Sequence, residues 1–100
     1  MYRNKKLRKS ARGQDCTMFG PTCTGGGEAR NDVCLRHSNR IEDGKGTGIK
    51  ANDDRAFYGC QNCENWYSGL TPMDHHLTTD EALDAAIART YLRATELGVM

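Results

Sequence analysis

Four cysteines constrain this chain more than any other feature. Cys16 and Cys23 are separated by six residues, Cys60 and Cys63 by two, and thirty-six residues lie between the pairs. Four thiolates can close a tetrahedral Zn²⁺ shell with bonds of about 2.3 Å and no open position. The Gly20-Pro21 turn and the Gly25-Gly26-Gly27 run make the first pair's surroundings turn-rich, so that this stretch wraps an ion more readily than it forms a regular element. The second pair sits where a strand gives way to a helix, and both of its sulfurs can then point at one ion. The alternative is four reduced structural cysteines or a redox pair; the two-pair spacing favours structural zinc.

The remaining composition explains why such a staple is needed. A chain of 100 residues, 37% hydrophobic, with two Phe and one Trp and a mean hydropathy of −0.75, holds one domain with a thin core. The basic start MYRNKKLRKSARGQ carries no apolar signal region. Nothing approaches the roughly 18 consecutive apolar residues of a membrane span. The expected location is therefore a reducing compartment, the cytoplasm, where paired cysteines bind metal more often than they oxidise. Cys34, the fifth cysteine, reads as a small packed residue rather than a ligand.

Net charge is only +1, but its distribution is uneven. Arg3, Lys5, Lys6, Arg8, Lys9 and Arg12 are six of fourteen basic residues, and no acid lies among them. Residues 1–14 read as a basic arm, helical across Lys5–Arg12 when bound to a partner, ahead of a domain spanning 15–100. Nucleic acid is the partner such an arm suits; a solvated tail is the plain alternative.

Within the domain, Val33 to His37 alternates as a strand with Val33, Leu35 and His37 on one face. A long polar loop, Ser38 to Arg55, carries Gly44, Gly46 and Gly48 with Lys45 and Lys50. Ala56 to Gly59 reads as the pairing strand and delivers the chain into Cys60-Gln61-Asn62-Cys63. A short helix over Glu64 to Ser68 stops at Gly69. Thr78-x-x-Glu81 is a capping box, after which Leu83, Ala86, Ile87, Thr90, Ala94 and Leu97 recur at helical spacing and Gly98 can end the helix. The fold class expected is α+β: a small zinc-stapled domain of treble-clef, ββα-metal (HNH-like) order, with the basic arm before it and a helix after it.

A closed four-cysteine site performs no chemistry, so an active site must lie elsewhere. His37, ending the first strand, is the candidate general base, because imidazole exchanges protons near neutral pH. Arg36 and Arg40 beside it can grip phosphate bidentately. In the loop, Gly46 and Gly48 permit close approach to phosphates with Lys50 adding charge, or they serve only the hairpin's turns while Asp53 caps one.

Several stretches resemble a known family. They are Leu7-Arg8-Lys9-x-Ala11-Arg12-Gly13-x-x-Cys16, Val33-x-Leu35-x-His37, Gly46-Thr47-Gly48-x-Lys50-x-x-Asp53, Cys60-x-x-Cys63, Ala88-Arg89-Thr90 and Gly98-Val99. Together they cover nearly the whole chain, which is similar to the YbcO-like family of small phage and prophage proteins classed as nucleases. The resemblance implies an HNH-like nuclease fold, a four-cysteine zinc site and DNA as substrate. Family members often carry His directly after the second Cys of C-x-x-C and Asp four residues later; here those positions are Glu64 and Ser68. Glu64 can offer an oxygen ligand to Mg²⁺ or Mn²⁺, and His75 or His76 can supply replacements from the following loop.

The leading expectation is a metal-dependent DNA endonuclease. His37 activates water, Cys16, Cys23, Cys60 and Cys63 hold structural Zn²⁺, and Glu64, His75 and His76 are candidate ligands of the catalytic metal. Arg8, Lys9, Arg12, Arg36, Arg40 and Lys50 hold DNA. The alternative is a zinc-stabilised DNA-binding accessory module without catalysis, which explains the changed helix positions better.

Overall fold

The computed structural model describes residues 3–21, 23, 32–40, 43, 45–46, 52–71 and 73–100. Helix α1 spans Lys5–Ser10, strand β1 Cys34–His37, strand β2 Ala56–Gly59, helix α2 Gln61–Tyr67 and helix α3 Thr79–Glu96; a single 3₁₀ turn, Asp53–Arg55, leads into β2. This is a small α+β domain. The strands form an antiparallel pair with Cys34 opposite Gly59, Leu35 opposite Tyr58, Arg36 opposite Phe57 and His37 opposite Ala56.

That register decides what each face of the hairpin meets. Leu35 and His37 share a face with Ala56 and Tyr58, and the Tyr58 hydroxyl lies 2.7 Å from Ser10 Oγ of α1. Phe57, on the opposite face, sets its ring edge-on to Tyr67 of α2 with centroids 6.1 Å apart. Gly59 is required here: a Cβ would stand 2.9 Å from Phe57 Cδ2 and 3.0 Å from Arg36 Cγ. The edge of β2 away from β1 is closed by Thr17 and Thr90. Tyr58 N donates to Thr90 Oγ1 at 3.0 Å, and Tyr58 O accepts from both the amide and the hydroxyl of Thr17 at 2.8 Å. No buried backbone group of Tyr58 is thus left to solvent it cannot reach.

Helix α3 begins with both halves of the capping box in place: Glu81 N donates to Thr78 Oγ1, and Thr78 N donates to Glu81 Oε1. Its buried stripe is Ala82, Leu83, Ala86, Ile87, Thr90 and Ala94, and small residues dominate it because α3 packs closely against β2. The stripe ends one turn before the sequence pattern suggests. Leu97 is the C-cap and is 37% exposed, while Gly98, with φ of 74°, turns the chain so that Val99 N donates back to Ala94 O. Helix α2 starts earlier than the pattern suggests, with Cys60 as N-cap and Cys63 in its first turn.

The first residues differ most from expectation. Rather than standing apart as an arm, α1 is folded into the domain: Leu7 and Ala11, four residues apart among the cations, are each 1% exposed. Burying Leu7 contributes about 2 kcal/mol. Asn4 caps the helix through Oδ1, which accepts from Leu7 N at 3.0 Å, and its own amide donates to Asp53 Oδ2 at 2.6 Å. Asp53 is 1% exposed and also receives Arg3 and Arg8, each at 3.3 Å, and His37 Nε2 at 2.8 Å. Cys34, expected to be packed, is exposed instead, because its strand position places it beside Gly59 rather than on the Leu35 face.

A second buried carboxylate joins Ser38 and Arg40, just after β1, to Arg55, just before β2. Asp43, 2% exposed, accepts from Ser38 Oγ at 2.6 Å, Arg55 Nε at 2.8 Å and Arg40 Nε at 2.9 Å. Burial raises the proton affinity of Asp43 and Asp53, but the donors around each outweigh it and hold both below the ordinary carboxylate value of 3.8. A depressed folded-state value stabilises the fold above pH 3.8, and that contribution is lost as pH falls through the lowered value. Asp53→Asn is therefore expected to cost about 3 kcal/mol at neutral pH. In urea melts followed by circular dichroism the difference from wild type should narrow below pH 3.8; a gap that stays constant to pH 2 would remove Asp53 from the acid limb.

Candidate metal centre and catalytic cleft

The four paired cysteines converge. Their sulfurs all lie within 4.8 Å of one another, with Cys16 to Cys63 at 3.5 Å and Cys23 to Cys60 at 4.0 Å. A tetrahedron with 2.3 Å zinc–sulfur bonds has edges of about 3.8 Å, so the spacing fits that ion. Cys16, Cys60 and Cys63 are fully buried. The amide of Gly20 donates to Cys63 Sγ at 3.4 Å, which suits a thiolate. A side chain at Gly20 would meet Trp66 Cε3 at 3.0 Å, so glycine lets this loop close over α2. The hydrogen bond between Cys63 and Cys16 lowers the Cys16 thiol to about 4 and pushes Cys63 up. Sulfurs this close cannot all ionise unless a cation shares their charge. Among the described residues this is the one group of three or more candidate ligands drawn together.

His37 lies at the end of β1, lining a cleft of about 310 Å³ with Leu35, Arg36, Asn39, Lys45 and Glu64. The bond between His37 Nε2 and Asp53 Oδ1 defines the ring's state. Asp53, held ionised by its donors, accepts; Nε2 therefore carries a hydrogen, and Nδ1 is the ring nitrogen not bonded to Asp53.

Glu64 enters the cleft from α2. Its Oε1 accepts from Ser68 Oγ at 3.2 Å, so the two positions that differ from the family pattern bond to each other. Its Oε2 is buried and is the one buried side-chain polar atom among the described residues without a hydrogen-bond partner. An orphaned carboxylate oxygen beside a cleft is what a hard cation would satisfy.

The histidine pair sits elsewhere. His75 and His76 stack with centroids 4.2 Å apart and line a separate cleft with Trp66, Met73 and Thr79. Both nitrogens of His75 are in use: Nε2 donates to Phe19 O at 3.0 Å, and Nδ1 accepts from Leu77 N at 3.1 Å. Neither residue shares the His37 cleft.

The candidate DNA-binding residues divide into two kinds. Arg8, Lys9, Arg12 and Arg36 line one groove of about 620 Å³ with Cys34 and Gln61. Arg40 is instead committed to Asp43 and, through Nη2 at 2.9 Å, to Asp84 of α3. Lys50 lies outside the described residues. Sequence reasoning passed over Lys45 as a cleft residue and Asp53 as the partner of His37. Adjacency cannot reveal the second, because the two residues are sixteen apart and meet only once the hairpin forms.

Purified protein is expected to carry about one zinc per chain by metal analysis. Cys63→Ser should lose both the metal and the cooperative unfolding transition, and Cys34→Ser should keep both. A metal-free chain that still unfolds cooperatively would remove zinc from the fold.

No curated protein matches the chain. It is similar to the solved structure titled "Structure of a putative bacteriophage protein from Escherichia coli str. K-12 substr. MG1655", with 25% identity, a TM-score of 0.63, and coverage of 93% of this chain and 100% of that one. Residues 5–99 match the family described as "Putative nuclease YbcO". On that match over almost its whole length, the chain belongs to the YbcO family of putative nucleases.

Proposed function

We propose that this protein is a metal-dependent DNA endonuclease of the HNH-like, ββα-metal kind, in which β1, β2 and α2 form the catalytic unit and the four-cysteine treble clef is its zinc staple. The observation that carries the reading is the shared cleft: His37, with an available Nδ1, and Glu64, with an unsatisfied buried oxygen, line the same space.

His37 Nδ1 takes the proton of the attacking water, and Asp53 behind the ring fixes its tautomer and stabilises the imidazolium that results. Mg²⁺ or Mn²⁺ held through Glu64 Oε2 would supply Lewis-acid stabilisation of charge developing on the phosphate. Lys45, whose Nζ donates to Gly46 O at 3.2 Å, adds positive charge at the cleft. Nearby cations, Arg36 first among them, hold the substrate's backbone.

One observation favours the second reading, a DNA-binding module without catalysis. Among the described residues no further carboxylate or histidine joins Glu64 in a ligand cluster, and Ser68 occupies its other oxygen.

The two readings separate in one assay: nicking of supercoiled plasmid by zinc-loaded protein with added Mg²⁺ or Mn²⁺. Wild type should nick. His37→Ala should lose at least about 100-fold, the lower end of general-base contributions, while retaining zinc and DNA binding. Glu64→Gln should raise the divalent-ion concentration needed for half-maximal rate. DNA bound but never cut by wild type would decide for the binding module.

A further inference from the structure

The 620 Å³ cationic groove and the 310 Å³ His37 cleft are adjoining spaces. Arg36 lines both. The groove runs beside β1, walled on one side by Arg8 and Lys9 of α1 and by Arg12 just after it, and on the other by Cys34, Arg36 and the start of α2. Its acid, Asp32, is already engaged: Oδ2 accepts from Gln61 N at 2.8 Å, and Oδ1 lies 3.8 Å from Arg36 Nη2. Arg36 Nε donates to Gly59 O at 3.0 Å, which fixes the guanidinium at the junction of the two spaces. Lys9 and Arg12 are exposed, without an ion-pair partner among the described residues. Arg8 is half exposed and leans on Asp53.

We propose that this groove is a phosphate track: a nucleic-acid backbone lies between α1 and β1, its phosphates on Arg8, Lys9 and Arg12, and passes over Arg36 into the cleft of His37 and Glu64. The track deepens the nuclease reading by stating where the flanking substrate lies. From Cys34 to His37 is three steps of β1, about 10 Å at about 3.3 Å per residue. A nucleic-acid strand advances about 3.4 Å along the helix axis per nucleotide, and its own path is longer, so the groove holds phosphates no more than about three nucleotides to one side of the scissile one. The fold of α1 into the domain is what makes this possible. A loose arm would bind DNA anywhere, whereas a helix docked through Leu7 and Asn4 presents its cations at a fixed distance from the imidazole.

Cys34 supplies the test, because it is exposed in the groove while the other four cysteines are drawn together at the zinc site. In zinc-loaded His37→Ala protein, Cys34 is alkylated with azidophenacyl bromide and irradiated with an end-labelled DNA duplex. Crosslinks are expected to cluster on one side of the wild-type cleavage position, within about five nucleotides of it. In parallel, Lys9→Gln/Arg12→Gln is titrated with the same duplex across salt concentrations. Removing two phosphate contacts should reduce the slope of log affinity against log salt by about 1.8, with zinc content unchanged.

An unaltered slope together with absent crosslinks, in protein that binds DNA, overturns the track even if wild type cuts DNA. If wild type never cuts, the reduced slope and a Cys34 crosslink to the duplex still establish the track, and only the nuclease reading fails. Failure of the duplex to bind at low salt overturns both.

Discussion

Four sulfur atoms within 4.8 Å of one another are a problem before they are a solution. Ionised, they repel; protonated, they crowd three buried thiols into a core of limited size. A divalent cation resolves both difficulties, and the rest of the domain is arranged around that resolution. Cys60 and Cys63 open α2, Cys16 leads into the Thr17 segment that closes the edge of β2, and the amide of Gly20 turns toward Cys63. The sulfur cluster, the helix start and the sheet edge are thus made by the same few residues. The binding energy of an ion held there would be available only to the folded chain, and so would act as folding energy.

The second organising group is Asp53. A carboxylate with almost no exposure would be costly alone, yet it gathers an amide, two guanidinium groups and an imidazole. Its position in the 3₁₀ turn before β2 brings α1, the end of β1 and the hairpin loop to one point. Asp43 does the same for the other end of that loop, joining Ser38, Arg40 and Arg55. Two buried acids therefore replace part of the apolar core that a chain of this composition cannot build.

Features with a local cause were legible in the sequence. The cysteine spacing, the capping box at Thr78 and the two strands all follow from neighbours a few residues apart, and the structure has each of them. Features with a distant cause were not. Leu7 and Ala11 look incidental in a run of cations until β1 is present to cover them. Leu97 fits the helical period but falls where Gly98 turns the chain. Cys34 reads as packed from its apolar neighbours, but the register sets it beside Gly59. The candidate site divides in the same way. His37 and Glu64 were readable from strand and helix positions, while the hydrogen bond that selects His37's tautomer depends on a residue sixteen positions away. His75 and His76 look like ligands as a pair, yet the Phe19 carbonyl and the Leu77 amide already engage His75.

Asn4 has a reach out of proportion to its size. Its amide bonds to Asp53, its carboxamide oxygen caps α1, and its Nδ2 donates to Val99 O at 2.7 Å. Side chain and backbone of this one residue together clasp the chain's last turn to its first helix and, through the carboxylate, to the imidazole ring. Disturbance at the C-terminal end of α3 can travel along three hydrogen bonds, from Val99 O to Asn4, from Asn4 N to Asp53 and from Asp53 to His37, and so reach the imidazole proposed as the general base. Asn4 and Val99, positions that on most surfaces are the least consequential, here support the buried carboxylate that holds His37.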